Sequence, residues 1–123
     1  MNDENHYVLR PKDIEKINEA KAFVDKNYIT PPSLNELSKE VKINHSKLKY
    51  GFKKTFGKTV YSYIKEQKMN YAKKLLEEGY LMVSEVAKKV GYQSFSHFSY
   101  TFKQHFGVNA NSIYAQKNNE KRD

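Results

Sequence analysis

The hexapeptide Phe52-Lys53-Lys54-Thr55-Phe56-Gly57 returns 50 residues later as Phe102-Lys103-Gln104-His105-Phe106-Gly107. Upstream of each copy, three apolar residues also match, at an offset of 49: Leu34, Leu37 and Val41 against Val83, Val86 and Val90. Because the two offsets differ by one residue, the connection between the matched stretches tolerates a change in length. Each copy has the pattern of a short helix, a tight turn and a longer helix. The sequence therefore predicts a duplicated helix-turn-helix.

The composition favours a polyanionic partner. The 123-residue chain has a formal net charge of +8 and a pI of about 9.5, and 20 of its 22 basic residues are lysine. At this length we expect one compact domain, or two very small ones that share a core. The absence of cysteine excludes disulfides, thiolate catalysis and cysteine-ligated zinc. The sequence shows neither a membrane-spanning apolar stretch nor a signal peptide, so we expect a cytoplasmic protein without membrane association.

Helical spacing of the apolar residues predicts an all-α fold of seven helices without a strand. We divide the chain into a flexible leader or interdomain stub (1–12), a first helix-turn-helix module (13–57), a linker helix (58–79), a second module (80–116) and a disordered tail (117–123). The first helix is expected to have Asp13 as its cap and to end near Tyr28, before two prolines. The linker helix should be about 27 Å long. The last helix should run from about Asn111 to Gln116.

Capping residues distinguish the two predicted modules. Ser33 and Glu36 fit a capping box at the start of the second predicted helix, and Asn44 is suited to cap the third. Met82 occupies the position in the second module that corresponds to Ser33. Because losing such a cap typically costs about 1 kcal/mol, we expect the second module to open more easily.

The second copy resembles the signature of the AraC/XylS family of bacterial transcription regulators, through Val83-Ser84-Glu85-Val86-Ala87-Lys88-Lys89-Val90-Gly91-Tyr92, Ser96, Phe98, Phe102-Lys103 and Phe106-Gly107. The first copy matches through Leu34, Leu37, Leu48, Phe52-Lys53, Gly57, Tyr63, Met69, Ala72 and Leu75-Leu76. The resemblance extends over about residues 13–116. More specifically, the stretch Lys47-Leu48-Lys49-Tyr50-Gly51-Phe52-Lys53, with Thr59-Val60 and Tyr63, is similar to the branch that regulates siderophore uptake.

The resemblance implies a homeodomain-like, AraC-type fold in which the linker helix joins two helix-turn-helix modules. It also implies that the third and sixth helices, the reading helices, enter successive major grooves. A stiff linker of about 27 Å can independently hold two such helices near the roughly 34 Å repeat of B-DNA. The implied function is that of an output domain that binds double-stranded DNA and activates transcription through contact with RNA polymerase. The effector-sensing domain of such a regulator is absent from this chain.

The chain departs from the family pattern at several positions. Asn109-Ala110 and Tyr114-Ala115 stand where the family often has Thr-Pro and Tyr-Arg. Tyr50 and Tyr100 stand where relatives often carry arginine, which disfavours guanine-specific reading.

The third predicted helix has a second face opposite the stripe of Leu48, Phe52 and Phe56. We predict that four side chains of this face contact base edges: Ser46, Lys47, Lys49 and Tyr50. Two further lysines are predicted phosphate contacts: Lys53 and Lys54. The alternative is a solvated, lysine-rich face without a partner.

The sixth predicted helix offers a different set of side chains. Its base-edge candidates are Phe95, Ser96, Ser99 and Tyr100, and its phosphate candidates are Ser94 and Lys103. Apolar rings suit the methyl groups of thymine, although Phe95 has the alternative of a place in the core. Because neither reading helix contains arginine, the commonest reader of guanine, we predict a site rich in A·T pairs.

The charge is divided unequally between the modules. Between Asn44 and Lys74 there are nine lysines and one glutamate, whereas between Gly79 and Gln116 there are three lysines and one glutamate. We therefore hypothesise that the first module supplies most of the affinity for phosphate, while the second refines position and sequence.

The sequence does not predict an enzyme. The histidines are scattered, no two carboxylates share an apolar context, and no glycine-rich phosphate loop is present, so we assign no catalytic residue, metal or cofactor. Two other functions stay open. The first is a protein-interaction adaptor that uses the same fold without sequence-specific DNA reading. The second is binding to structured RNA, whose deep groove does not admit a reading helix. Self-association also stays open.

Overall fold

The structure is a computed structural model that describes residues 7–122. These residues form seven helices and no strand: α1 (Pro11–Asn27), α2 (Leu34–Val41), α3 (His45–Phe56), α4 (Val60–Glu78), α5 (Val83–Lys89), α6 (Phe95–Phe106) and α7 (Ala110–Arg122). The predicted all-α fold is confirmed. The chain divides into two compact units, of which the first ends at Lys65 and the second begins at Glu66. Part of the predicted leader, residues 1–6, and the last residue of the predicted tail lie outside the described residues.

Helix α1 begins two residues before Asp13, the predicted cap. Pro11 occupies the first helical position, where its fixed φ and its missing N–H are both favourable. Asp13 lies within the first turn, and its carboxylate accepts a hydrogen bond from the backbone N–H of Arg10 at 3.0 Å. The prediction that Asp13 is the residue that precedes and caps the helix is therefore wrong. Its carboxylate stabilises the start of the helix from inside the first turn.

The two predicted caps of the first unit are confirmed. Ser33 Oγ accepts from the Glu36 N–H at 3.0 Å, and the Glu36 carboxylate accepts from the Ser33 N–H at 2.9 Å, which completes the capping box of α2. Asn44 Oδ1 accepts from the Lys47 N–H at 3.0 Å and caps α3.

The turn between α2 and α3 contains a lysine in the left-handed region. Lys42 has a φ of 58°, a conformation that costs a non-glycine residue roughly 1 to 2 kcal/mol. Its carbonyl accepts a hydrogen bond from Lys16 Nζ at 2.8 Å, which ties the turn to α1 and offsets part of that cost.

The first unit has its own hydrophobic core, to which four helices contribute Ile17, Ala20, Val24, Leu37, Val41, Leu48, Phe52, Val60, Tyr63 and Ile64. The ring of Tyr63 packs edge-on against Phe52, with centroids 5.8 Å apart, and its hydroxyl donates a hydrogen bond to the Asp25 carboxylate. The start of α4 is thereby fixed to both α1 and α3.

The second unit has a separate core, formed by Met69, Ala72, Leu75, Leu76, Val83, Val86, Ala87, Val90, Phe98, Phe102 and Ala110. Met82 precedes α5 without offering a side-chain cap, yet its N–H donates to the Glu85 carboxylate at 2.7 Å. One half of the capping box is therefore present. Gly91 has a φ of 91° and corresponds to Lys42 in the first unit, so the second unit makes its turn without the cost of a left-handed side chain.

Helix α4 takes part in both cores. Its first turns belong to the core of the first unit, and the rest of the helix supplies the second unit with three fully buried residues: Met69, Ala72 and Leu76. These repeat, 52 residues later, the fully buried residues of α1: Ile17, Ala20 and Val24. The repeated unit therefore contains three helices, one more than the two that the repeated sequence motifs predict. The later part of the predicted linker helix is the first helix of the second unit.

Helix α7 is longer than predicted. It continues to Arg122, whereas the sequence predicts a helix end near Gln116. Ala110, Ile113 and Tyr114 pack in or against the second core. No glycine or proline follows them to end the helix. Once packing fixes the first turns, each further residue of a helix costs little.

Candidate nucleic-acid interface

Helix α3 has one buried and one outward face, as predicted. Leu48 and Phe52 are fully buried. The predicted contact residues lie on the outward face, where Lys47 and Tyr50 are half-buried and the others are exposed: Ser46, Lys49, Lys53 and Lys54. Among the side chains that the structure describes, no carboxylate lies at ion-pair distance from Lys49, Lys53 or Lys54. Their charge is therefore available to a ligand.

A concave surface lies beside this face of α3. Of the residues that the structure describes, five line a cavity of about 520 Å³: Lys49, Tyr50, Lys53, Lys54 and Thr59. Thr59 also caps α4, since its Oγ1 accepts from the Ser62 N–H at 3.0 Å. Three ammonium groups beside one concave surface favour a polyanion, because the positive potentials of neighbouring lysines add there.

The residues just before α1 border the outward face of α3. The Tyr7 ring packs at a tilt against Tyr50, with centroids 5.7 Å apart, and Leu9 packs against the first core. The sequence predicts that residues 7–9 belong to a flexible leader. No sequence pattern indicates these contacts, because they depend on how the chain folds back onto α3. Tyr50 is therefore held by an aromatic neighbour.

Gly51 allows α1 to lie close to α3. A Cβ at this position would lie 2.2 Å from Ile17 Cδ1 and 3.3 Å from Leu9 Cδ2, so any larger residue requires Ile17 to move. The corresponding residue of α6 is Thr101, which is also buried. The signal in the sequence was a glycine inside a predicted helix, where it costs about 1 kcal/mol relative to alanine unless packing requires it.

Lys47 has an ionic partner that the sequence did not predict. Its Nζ lies 3.3 Å from Asp13 Oδ2, and the two side chains are 29% and 16% exposed. The hydrogen bond from the Arg10 N–H, together with Lys47, holds the pKa of the Asp13 carboxyl below its ordinary value. Asp13 is therefore ionised at neutral pH. The partners are 34 residues apart, so no local pattern could have identified them.

Helix α6 buries Phe98 and Phe102 and exposes the opposite side. Phe95 is 51% exposed and Tyr100 67% exposed, so Phe95 does not occupy the core. Ser96 and the predicted phosphate contact Lys103 are exposed, and Ser99 is half-buried.

Ser94 caps α6, since its Oγ accepts from the His97 N–H at 3.1 Å. The hydroxyl hydrogen of Ser94 can still be donated, so a cap and a phosphate contact are compatible at this position.

Two lysines of α4 are less available to bind an anion than the number of lysines in the sequence suggests. Burial lowers the pKa of Lys68, whose Nζ lies 5.2 Å from the centre of the Tyr92 ring. Lys73 Nζ lies 5.1 Å from the Phe106 ring and 4.0 Å from Glu77. The number of lysines in α4 therefore overstates the positive charge that this helix offers to a ligand.

The described residues contain no cluster of three or more side chains suited to hold a metal ion. His97 packs edge-on against Tyr92, with ring centroids 5.2 Å apart. None of the described helices combines the length and the apolar character that crossing a bilayer requires.

Comparisons with known proteins match most of the chain. A family model described as a helix-turn-helix domain matches residues 37–114. The lactose operon transcription activator of Staphylococcus xylosus is 31% identical over 96 residues, which are 78% of this chain and 34% of that protein. The chain thus spans about a third of the length of this curated relative.

Two solved structures share the fold. An AraC-type DNA-binding regulator from Chromobacterium violaceum has a TM-score of 0.75 at 26% identity, over 84% of this chain and 92% of that one. The DNA-binding domain of AdpA, solved in complex with a target DNA, has a TM-score of 0.77 at 18% identity, over 88% and 97% of the two chains.

Proposed function

The chain belongs to the AraC-type helix-turn-helix family of transcription regulators, and we propose that it binds double-stranded DNA by sequence as the output domain of a bacterial regulator. In this proposal α3 and α6 occupy successive major grooves. The observation that supports it most directly is that these two helices have the same arrangement of buried and exposed residues. Each buries an apolar stripe, Leu48 and Phe52 in α3 and Phe98 and Phe102 in α6, and exposes the opposite face, which is the face that contacts base edges when the second helix of this motif enters a groove.

In the first unit we assign base edges to Ser46, Lys49 and Tyr50 and phosphates to Lys53 and Lys54. The support is that these side chains share one outward face and that the three lysines lack a carboxylate partner among the described residues. Lysines of this kind release counterions when they bind phosphate, which makes affinity steeply dependent on salt.

In the second unit we assign base edges to Phe95, Ser96, Ser99 and Tyr100, and phosphates to Ser94 and Lys103. Two exposed aromatic rings on one helix are unusual on a surface that faces only water, and they suit contact with thymine methyls. The proposed operator is accordingly rich in A·T pairs.

The wider assignment follows from the family. We propose that the regulator activates transcription through contact with RNA polymerase, that a separate domain senses its effector, and that it acts in the cytoplasm. The division of residues 58–79 as a linker helix and the siderophore-uptake branch remain predictions. Family membership disfavours the adaptor function, and an A-form RNA groove does not admit α3 or α6.

The proposal is tested by fluorescence-anisotropy titration of the protein with a random-sequence duplex at several salt concentrations, followed by its selected site. Contact with about six phosphates predicts a log–log slope near −5. We expect the selected site to bind at least about a thousandfold more tightly than the random duplex.

Two controls accompany the titration. An RNA duplex of the same length should compete poorly. A Phe95→Ala, Tyr100→Ala variant should lose selectivity for the selected site while keeping its salt dependence, because neither residue carries charge. A steep slope without selectivity would contradict sequence-specific reading by this chain, and the absence of binding at low salt would contradict DNA binding altogether.

A further inference from the structure

The ion pair between Asp13 and Lys47 lies where the first turn of α1 meets the first turn of α3. Lys47 Nζ lies 3.3 Å from Asp13 Oδ2. Both side chains are mostly covered, with 29% and 16% of their area exposed. The pair therefore joins two helices at the end of α3 that carries Ser46 and Lys49.

Asp13 is itself held in place. The same oxygen, Oδ2, accepts the backbone N–H of Arg10 at 3.0 Å, and the helix places Asp13 in its first turn behind Pro11. The carboxylate therefore cannot follow Lys47 if that side chain turns towards another anion. Separating them would leave a negative charge beside the proposed DNA surface, where phosphates would repel it.

The other lysines of this surface are in a different state. Lys49, Lys53 and Lys54 have no carboxylate partner among the described residues and border the concave surface beside α3. A lysine that binds phosphate releases a counterion from the DNA only if the charge of the lysine has not already been neutralised by another group. Lys47 is thus the lysine of α3 least suited to that role.

We propose that Asp13 is a positioning residue that withholds Lys47 from DNA, so that the lysines of the first unit that contact DNA are Lys49, Lys53 and Lys54. This rests on the proposed function and alters the sequence-based assignment of Lys47 to a base edge. Asp13 sets how many lysines of α3 engage DNA, because it decides whether Lys47 is available beside the other three.

The test is a double-mutant cycle read by the salt dependence of binding to a random-sequence duplex. Asp13→Asn keeps an oxygen that accepts the Arg10 N–H but removes the negative charge. It should steepen the log–log slope by about 0.9 and raise affinity about fivefold to tenfold near 0.1 M salt, the gain expected for one added phosphate contact. Lys47→Gln alone should reduce the slope much less than Lys53→Gln, which removes a proposed phosphate contact.

The double variant Asp13→Asn, Lys47→Gln identifies the cause. We expect its slope to be no steeper than that of the unmodified protein, because the gain depends on a freed Lys47. A gain that persists in the double variant would overturn the proposal, since the carboxylate would then act on DNA directly. Glu15→Gln removes one charge from the same helix and should leave most of the slope unaltered. An effect equal to that of Asp13→Asn would also overturn it.

Circular dichroism establishes that each variant is folded. Asp13→Ser, whose hydroxyl can also accept the Arg10 N–H, serves in place of Asp13→Asn if that variant unfolds. A protein that binds DNA with an unchanged slope in both Asp13 variants would refute this inference alone. An unmodified protein that fails to bind duplex DNA would refute the proposed function and this inference together.

Discussion

The two units contain three equivalent helices each but differ in the residues that determine their turns, helix ends and close contacts. Fully buried residues recur in equivalent positions of α1 and α4 and of α3 and α6. Elsewhere the units differ. The first has a complete capping box, a left-handed lysine and a glycine where α3 faces Ile17, whereas the second has half a capping box, a glycine in the turn and a threonine at the position equivalent to that glycine.

This comparison separates the residues that determine the fold, which are repeated in both units, from the residues that adjust its stability, which vary. A buried leucine or phenylalanine stabilises a small unit by about 1.5 to 3 kcal/mol, and these positions are repeated. A helix cap contributes about 1 kcal/mol, and these positions vary. The outward faces also vary, with lysines on α3 and aromatic rings on α6, so the units can share a fold and contribute differently to binding.

The largest expected effect concerns that division of binding. Lys53→Gln with Lys54→Gln removes two proposed phosphate contacts, so the salt slope should fall by about 1.8 and affinity for a random duplex by roughly 50-fold near 0.1 M salt. Ser96→Ala with Tyr100→Ala should instead reduce the preference for the selected site. Lys26→Gln with Lys39→Gln, two exposed lysines of α1 and α2, is the charge-matched control. Equal losses on the random duplex from the α3 and α6 variants would contradict the division.

The next effect concerns the close contact in the first unit. Gly51→Thr introduces the residue that the second unit has at this position, and we expect it to destabilise the first unit by about 1 to 3 kcal/mol because its Cβ would displace Ile17. Urea unfolding, with hydrogen exchange to locate the loss, measures this effect.

Ile17→Val supplies the control for that substitution, because valine lacks the Cδ1 atom that a Cβ would meet. The two substitutions together should cost less than the sum of their separate costs. Strict additivity would show that the cost of Gly51→Thr arises elsewhere.

A smaller effect is expected from exchanging the helix caps. Met82→Ser should stabilise the second unit by about 1 kcal/mol, because it completes the capping box with Glu85 and replaces a side chain that is already 54% exposed. Ser33→Ala should destabilise the first unit by a similar amount. Hydrogen exchange of α5 and α2 amides reports each unit separately. Protection of α5 that does not increase in Met82→Ser would contradict the prediction that the missing cap makes the second unit open more easily.

The smallest effect is expected in the turn after α2. Lys42→Gly relieves the left-handed conformation but adds backbone freedom to the unfolded chain, so we expect a net stabilisation of only about 0.5 to 1 kcal/mol. The hydrogen bond from Lys16 goes to the backbone carbonyl and remains possible. Gly91→Lys is the matched change in the second unit and should be destabilising, as judged by thermal unfolding. Loss of stability in Lys42→Gly would indicate that the lysine side chain itself stabilises the turn.

Much of the candidate site was predictable because it depends on local periodicity. The buried stripes of α3 and α6 and the caps Ser33 and Asn44 follow from residues within four positions of each other. The partner of Lys47 and the neighbour of Tyr50 did not follow from the sequence, because residues far apart along the chain supply them.

The sequence by itself determined the repeat, the seven helices and the excess of lysine in the first half, since helical spacing, capping and charge are properties of neighbouring residues. Tertiary structure alone decided that α4 belongs to both cores, that Gly51 allows α1 to approach α3, and that Asp13 pairs with Lys47. These features depend on which surfaces meet when apolar stripes are buried. Helical periodicity identifies the stripe on each helix, but the side chains that meet across an interface are set by the packing of both helices.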